Sequence, residues 1–223
     1  MADLPWTVAA WEQGRRAGPL DRAVILLAAV TGQTLAEAEG TELGRRDALL
    51  AAALTGLAGP VVWARVRCAG CGDRLDVPLD AALLPGLPSG PEQVRAGRGV
   101  FRLPHTGDLR VLAHAGGDPA TGRQLLLRAL LVDGDADPDE VEAALELASP
   151  GALVTVAVNC PDCDSSTVAA LDVPALLWTY VEARALAELG EIHQLATAYG
   201  WSEANVLAVS PARRAVYLAL VQR

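Results

Sequence analysis

The sequence contains no lysine: its 18 basic side chains are all arginine, and 27 acidic residues outnumber them. The formal net charge at neutral pH is therefore -9. Affinity for nucleic acids rests mainly on cationic side chains that neutralise phosphates. This balance argues against a polyanion as the main partner.

Aromatic residues and long apolar runs are also scarce. Aromatics make up 4% of the chain although hydrophobic residues make up 52%, so the core must consist of alanine, leucine and valine. The longest apolar run, 23–30, is far shorter than the roughly 20 residues of a membrane-spanning helix. No basic region followed by an apolar stretch begins the sequence, so we expect no signal peptide and a cytoplasmic protein.

There are only four cysteines, arranged as two Cys-x-x-Cys pairs with 88 residues between them. Cytoplasmic thiols stay reduced, so paired cysteines there are typical of metal ligands before disulfides. Each pair places two sulfurs on one tight turn, and two pairs complete a four-coordinate shell with no position left for water. The sequence predicts one structural Zn²⁺ ion, bound by Cys68, Cys71, Cys160 and Cys163.

Other uses of these thiols are possible. Iron in a rubredoxin-like site takes the same four sulfurs, and metal analysis would distinguish the two ions. A thioredoxin-like redox pair needs its thiols at a helix N-terminus, whereas both pairs here follow predicted strands. A disulfide framework would require export.

The flanking patterns predict an α+β fold with a zinc-ribbon-like core. Alternating segments 61–67 and 154–158 lead into the cysteine pairs as strands, and each returns as a second strand, which gives two hairpin knuckles. Leu-Asp-Val-Pro follows both pairs, at Leu75–Pro78 and Leu171–Pro174, which suggests two equivalent hairpins about a pseudo-twofold axis. The predicted parts are N-terminal helices 1–58, a first knuckle 59–80, an inserted α/β segment 81–150, a second knuckle 151–173 and a C-terminal helical hairpin 174–223.

Several boundaries follow from caps and breakers. Thr34 and Glu37 form a possible capping box, and Asp118 and Asp137 each precede a proline at a first helical position. Segment 94–103 is expected to be extended. The proline- and glycine-rich stretch 84–91 is expected to be a subdomain boundary, and the C-terminal helices are expected to break near Gly190, at Gly200 and at Ser210.

The C-terminal hairpin is the expected contact region. Aromatic side chains with arginine are typical interface anchors, and here they are Trp201, Arg213, Arg214 and Tyr217. A helix–turn–helix that reads DNA is an alternative, although its cationic surface would be thin. No catalytic motif is present, so we expect no enzyme.

Motifs spread over nearly the whole length resemble the baseplate-hub assembly chaperone family of contractile-tailed phages and phage-derived contractile injection systems. They are Trp11–Gly14 with Pro19–Ala23, Gly44–Leu50, both cysteine pairs, Arg102–Leu109, and Ile192–Glu203 with Ser210–Arg214. One departure is Ala69, where proline usually follows the first cysteine.

The resemblance implies a non-enzymatic protein whose partners are baseplate, hub, spike or tape-measure proteins of a contractile tail. The negative charge and the short apolar runs predict no nucleic-acid and no membrane partner. It leaves open whether the protein departs after assembly or is retained in the particle. A zinc-ribbon transcription regulator is the alternative function.

Overall fold

Helices and small antiparallel sheets alternate along the chain in a computed structural model that describes residues 6–84 and 90–221. Four N-terminal helices come first: α1 (Trp6–Gly14), α2 (Pro19–Thr31), α3 (Leu35–Glu39) and α4 (Leu43–Ala58). A hairpin of β1 (Val61–Arg67) and β2 (Arg74–Asp80) follows. The inserted segment contains β3 (Gln93–Ala96), β4 (Gly99–Arg102), α5 (Thr106–Ala115), α6 (Pro119–Leu130), β5 (Leu131–Asp133) and α7 (Pro138–Ala148).

The second hairpin leads directly into the C-terminal helices. Its strands are β6 (Thr155–Asn159) and β7 (Ser166–Ala170), and the helices are α8 (Val173–Tyr199), α9 (Glu203–Ala208) and α10 (Pro211–Val221). Each strand pairing in the described residues is antiparallel. The α+β class predicted from the sequence is confirmed.

The helix starts follow the local cap chemistry. Thr34 and Glu37 form the complete capping box, each side chain bonding to the other residue's backbone N–H. The Asp118 carboxylate accepts from the N–H groups of the first turn of α6, and Asp137 does the same for α7. These side chains satisfy backbone donors that have no partner within the helix, so the predicted starts are confirmed.

The main core lies where α1, α2 and α4 pack against the N-terminal half of α8. Its fully buried side chains are mostly leucine and valine, as the composition predicts: Leu26, Leu27, Leu50, Leu54, Val62, Leu177 and Val181. Burying such a side chain contributes about 1.5–3 kcal/mol each. We call this part the helical body.

The inserted segment has a small core of its own. Val94, Phe101, Leu103, Leu130 and Val141 are buried together between the β3–β4–β5 sheet and the helices. Segment 94–103 is not one extended stretch as expected, because Gly97 adopts a positive φ of 54° and turns the chain into a hairpin. The expected boundary at 84–91 lies largely outside the described residues.

Two expectations about helices are wrong. Helix α5 was not predicted from the sequence. A break in the C-terminal helix was predicted near Gly190, whereas α8 runs without interruption over 27 residues. A single glycine inside a helix costs only about 1 kcal/mol. Packing of α8 against the helical body in its N-terminal half, and against α9 and α10 further along, outweighs that cost.

Candidate metal centre

The four cysteine side chains lie together at the tips of the two hairpins. The Sγ atoms of Cys68 and Cys163 are 3.6 Å apart, and those of Cys71 and Cys160 are 3.7 Å apart. All four Sγ atoms lie within 4.8 Å of one another, and none is in a disulfide. Two segments distant in sequence therefore converge on one point.

The two knuckles have the same backbone hydrogen bonds. The N–H of Cys68 donates to the carbonyl of Asp73 (2.8 Å), and the N–H of Cys160 donates to the carbonyl of Ser165 (3.0 Å). A second bond returns to each first cysteine, from Gly72 to Cys68 and from Asp164 to Cys160, both at 3.0 Å. The knuckles are thus equivalent turns, related by a shift of 92 positions (68 to 160).

The turn requires a left-handed residue after the second cysteine. Gly72 has φ 80°, and Asp164, at the equivalent position, has φ 53°. Glycine adopts this conformation without steric cost, and aspartate is among the few other residues that tolerate it.

The shared Leu-Asp-Val-Pro motif is not part of this equivalence. Leu75–Pro78 lies within β2, whereas Leu171–Pro174 leaves β7 and begins α8. The two copies are 96 positions apart (75 to 171), four more than the shift that relates the knuckles. The hairpins are equivalent, but this motif was the wrong evidence for it.

The donor set fits a single tetrahedral metal ion. A Zn–S bond of about 2.3 Å places neighbouring sulfurs of a tetrahedron about 3.8 Å apart. The closest sulfur pairs, at 3.6 and 3.7 Å, agree with that edge length. Cys68 and Cys160 are buried while Cys71 and Cys163 are exposed, so the site lies at the surface with one side covered by the hairpins.

Backbone donors favour thiolates at two of the positions. The N–H groups of Cys71 and Gly70 lower the pKa of Cys68 to about 6, and the Gly70 nitrogen is 3.3 Å from its sulfur. The side chain and N–H of Ser165 lower the pKa of Cys163. Several thiolates so close together repel one another, and a bound cation would offset that repulsion.

Sequence reasoning missed the side chains that join the hairpins beside the sulfurs. The buried hydroxyl of Thr167, on β7, accepts a hydrogen bond from the N–H of Ala69 in the first knuckle (3.0 Å). A Cβ on Gly70 would overlap Ser165, so the two turns approach each other closely there. Thr167 lacks a sequence signal because its partner lies 98 residues away.

A second polar cluster joins the inserted segment to the helical body. Arg46 and Asp47 form a buried ion pair on α4, at 2.6 Å, and Arg46 also donates to the Thr106 hydroxyl at the start of α5 (3.0 Å). Burial raises the pKa of Asp47. Arg102 makes two hydrogen bonds to Asp108, at 2.7 and 2.6 Å. These residues belong to the motifs of the family resemblance.

The N-terminal motif also has a packing role. The Arg22 guanidinium lies over the Trp178 ring on α8, 4.4 Å from its centroid. The Trp178 ring leaves no room for a side chain at Gly14, since a Cβ there would lie 2.6 Å from it. Two more motif residues thus fix the N-terminal helices on α8.

The expected partner-binding residues divide into two groups. Arg214 is only 2% exposed, and its Nη1 lies 3.6 Å from a Glu188 oxygen on α8, so its side chain packs inside the protein and not on the surface. Arg213 is exposed. Trp201 and Tyr217 are half-buried and pack on each other, with ring centroids 5.0 Å apart, while Tyr199 stacks on Trp201. This aromatic cluster fastens α10 to the end of α8 and leaves only part of each ring available.

Compared with protein-family models, curated protein sequences and solved structures, the chain has no significant match. Within the described residues, none of the helices combines the length and the apolar character needed to cross a bilayer.

Proposed function

We propose that the chain is a non-enzymatic assembly or structural protein of a contractile injection system or phage-tail baseplate hub. It acts through protein–protein contacts on a scaffold held by one structural Zn²⁺ ion. The observation that carries this proposal is the convergence of four thiols from two distant hairpins.

The ligand set supports a structural role for the ion. Catalytic zinc sites keep one coordination position for water or substrate, whereas four protein sulfurs fill the tetrahedron. Cys68, Cys71, Cys160 and Cys163 would hold the ion, and the ion would supply a rigid cross-link between the hairpins. In small domains such a site contributes on the order of 10 kcal/mol of folding free energy.

The roles of the motif residues support a scaffold rather than a catalyst. Gly14, Arg22 and Arg46 join helices across the boundaries between segments, through Trp178 on α8 and Thr106 on α5. Asp108 joins α5 to β4 within the inserted segment. A protein selected for a fixed arrangement of surfaces would retain such residues. The acidic charge of the chain supports protein partners over DNA.

The first test is co-purification of the tagged protein from cells that express the neighbouring tail genes. Hub, spike or tape-measure proteins should be recovered, and Arg213→Glu should reduce recovery more than Arg128→Glu, an equally exposed change on α6. Recovery of only RNA polymerase or DNA would defeat the proposal and favour a transcription regulator.

The second test is metal analysis of the purified protein. One zinc per chain is expected, with no visible absorption band. Iron at the same stoichiometry, with the colour of a ferric tetra-thiolate, would replace zinc in the proposal.

A further inference from the structure

The strand β1 has one paired edge and one open edge. Antiparallel strands alternate between residues that exchange hydrogen bonds with the partner and residues that point their N–H and C=O away from it. The N–H of Ala81 donates to Pro60, and that of Cys68 donates to Asp73, so the even-numbered residues of this strand face β2. The outward residues are therefore Val61, Trp63, Arg65 and Arg67.

A side-chain contact supports this assignment. The N–H of Trp63 donates to the Tyr180 hydroxyl on α8 (2.8 Å), so it points away from β2. Its register partner is Pro78, which has no N–H. The outer edge of β2 is thus interrupted by proline, a device that hinders further pairing.

The outer edge of β1 has no such block beyond Trp63. Neither Arg65 nor Arg67 donates its backbone N–H to another described residue, and no described strand pairs with this edge. The edge borders a cavity of about 520 Å³ between β1 and α8. The helix side is lined by Ala175, Thr179 and Ala183, at spacings of four residues, and by the larger Leu176 and Tyr180, while residues 170–172 close one side. The row of small side chains leaves space for an added chain.

The charged side chains along this edge indicate which charge a bound segment would carry. Arg65 is neutralised by Asp76 across the hairpin (2.8 Å), and Asp172 lines the cavity beside α8. At the other end the register places Arg67 directly opposite Arg74, and Arg67 donates to the neutral carbonyl of Gly72 (3.0 Å). Like charges at directly opposed positions destabilise an antiparallel pair. A carboxylate beside Arg67 would relieve that repulsion.

We propose that the outer edge of β1 is a strand-addition site for an extended, acidic segment of a partner protein. The segment would pair with the backbone groups of Arg65 and Arg67, direct small apolar side chains toward α8, and place a carboxylate beside Arg67. Main-chain hydrogen bonds give affinity in this mode of recognition, and alternate side chains give specificity. The inference rests on the proposed function in that it names one surface through which the scaffold binds protein.

The test uses a capped heptapeptide of alternating valine and glutamate as the probe, with the zinc-loaded full chain. Amide hydrogen exchange at Arg65 and Arg67 should slow about tenfold when the peptide is present at ten times its Kd. Two control peptides are matched in length. One carries N-methyl groups on alternate amides and the other has lysine for glutamate, and both should bind at least about tenfold more weakly, a loss of about 1.4 kcal/mol.

Two variants of Arg65 distinguish the contribution of its backbone N–H to peptide binding from that of its charged side chain. Arg65→Pro removes the outward N–H without removing a hydrogen bond to β2, so zinc content should be retained and peptide binding lost. Arg65→Ala keeps the N–H and should still bind the peptide.

Either of two results would overturn the inference. One is equal binding of the N-methylated peptide, and the other is unchanged exchange at Arg65 and Arg67 with the unmodified peptide at millimolar concentration. The two arginines would then serve only as charges that keep an edge strand from pairing. Tail proteins recovered equally by Arg65→Pro and parent would leave the proposed function standing while removing this surface from it.

Discussion

The helical body and the two hairpins of the metal centre are stabilised in different ways. The helical body buries leucine side chains from the three helices α2, α4 and α8, among them Leu27, Leu54 and Leu177 at 0% exposure. The hairpins share a buried cluster of only Cys68, Leu75 and Cys160. An isolated two-stranded hairpin is at best marginally stable in water. We infer that burial stabilises the first region and that a metal ion is needed for the second.

Removing the metal should have the largest effect, and it should be confined to the hairpins. With zinc chelated, amide protection should fall by orders of magnitude at the cysteine-bearing ends of β1, β2, β6 and β7, since such a site supplies about 10 kcal/mol. The start of β1, where Val62 is buried in the helical body, should lose less. Amides of α2 and α4 should remain protected. Hydrogen exchange with mass spectrometry measures both regions in one experiment.

The variant Cys160→Ser should reproduce the effect of the chelator, because a serine hydroxyl is a poor ligand. Ser166→Ala, on the exposed face of β7, is the matched control and should bind zinc normally. Equal protection of the hairpins with and without metal would contradict the division into two regions.

A cavity in the helical body should have the next largest effect, with the opposite distribution. Leu27→Ala should lower the free energy of unfolding by about 2–5 kcal/mol, because Leu27 is fully buried. Zinc stoichiometry should stay at one per chain. Leu147→Ala is the control, since Leu147 is 86% exposed and should change stability little. Denaturant titration and metal analysis of the same samples provide the measurements.

The buried carboxylate of Asp108, which joins α5 to β4 within the inserted segment, should contribute less. Asp108→Asn should cost about 2 kcal/mol at neutral pH, because it removes a carboxylate that accepts two hydrogen bonds from Arg102 and one from the His105 N–H. Asp76→Asn breaks the exposed pair with Arg65 and should change stability very little. Urea melts of both variants compare a buried with an exposed carboxylate.

The same carboxylate predicts a pH dependence of stability. Burial raises the pKa of Asp108, but Arg102 and the His105 N–H outweigh it, and the net pKa lies below its ordinary value. The ionised group therefore stabilises the fold above its unfolded pKa of about 3.9, and this contribution is lost as the pH falls through the lower folded value. The stability difference between parent and Asp108→Asn should shrink below about pH 4. A constant difference would assign the effect to packing.

What could be predicted from the sequence was either local or carried by rare residues. The capping box at Thr34 depends only on residues three positions apart in sequence. The chain has only four cysteines, so few other arrangements competed with the prediction that all four share one site. Helix α5 was missed because its stability depends on distant partners: Thr106 bonds to Arg46, and Arg110 pairs with Glu39 on α3. The helix end predicted near Gly190 was wrong for the same reason, because α8 is stabilised by the helices packed against it.

The C-terminal region shows that the type of a residue does not by itself predict whether its side chain is buried or exposed. Arg214 was predicted to contact a partner because arginine beside aromatic residues is typical of interfaces. In the structure it lies buried beside the carboxylate of Glu188, 26 positions earlier in the chain. Nothing within the local pattern distinguishes it from the exposed Arg213. The repeated Leu-Asp-Val-Pro motif misled in the opposite way, because identical letters lie in a strand in one copy and at a helix start in the other.

The smallest expected effects lie within the hairpins and compare their two turns. Gly72→Ala places a Cβ in the left-handed region and should cost about 1 kcal/mol, measured on the zinc-loaded protein by thermal melting. Asp164→Gly relieves the equivalent conformation in the second knuckle and should be neutral or stabilising by up to about 1 kcal/mol, because the greater freedom of unfolded glycine offsets part of the gain. If both changes proved equally harmful, the two turns would not be conformational equivalents. Opposite signs would indicate that both knuckles have the same backbone requirement and meet it with different residues.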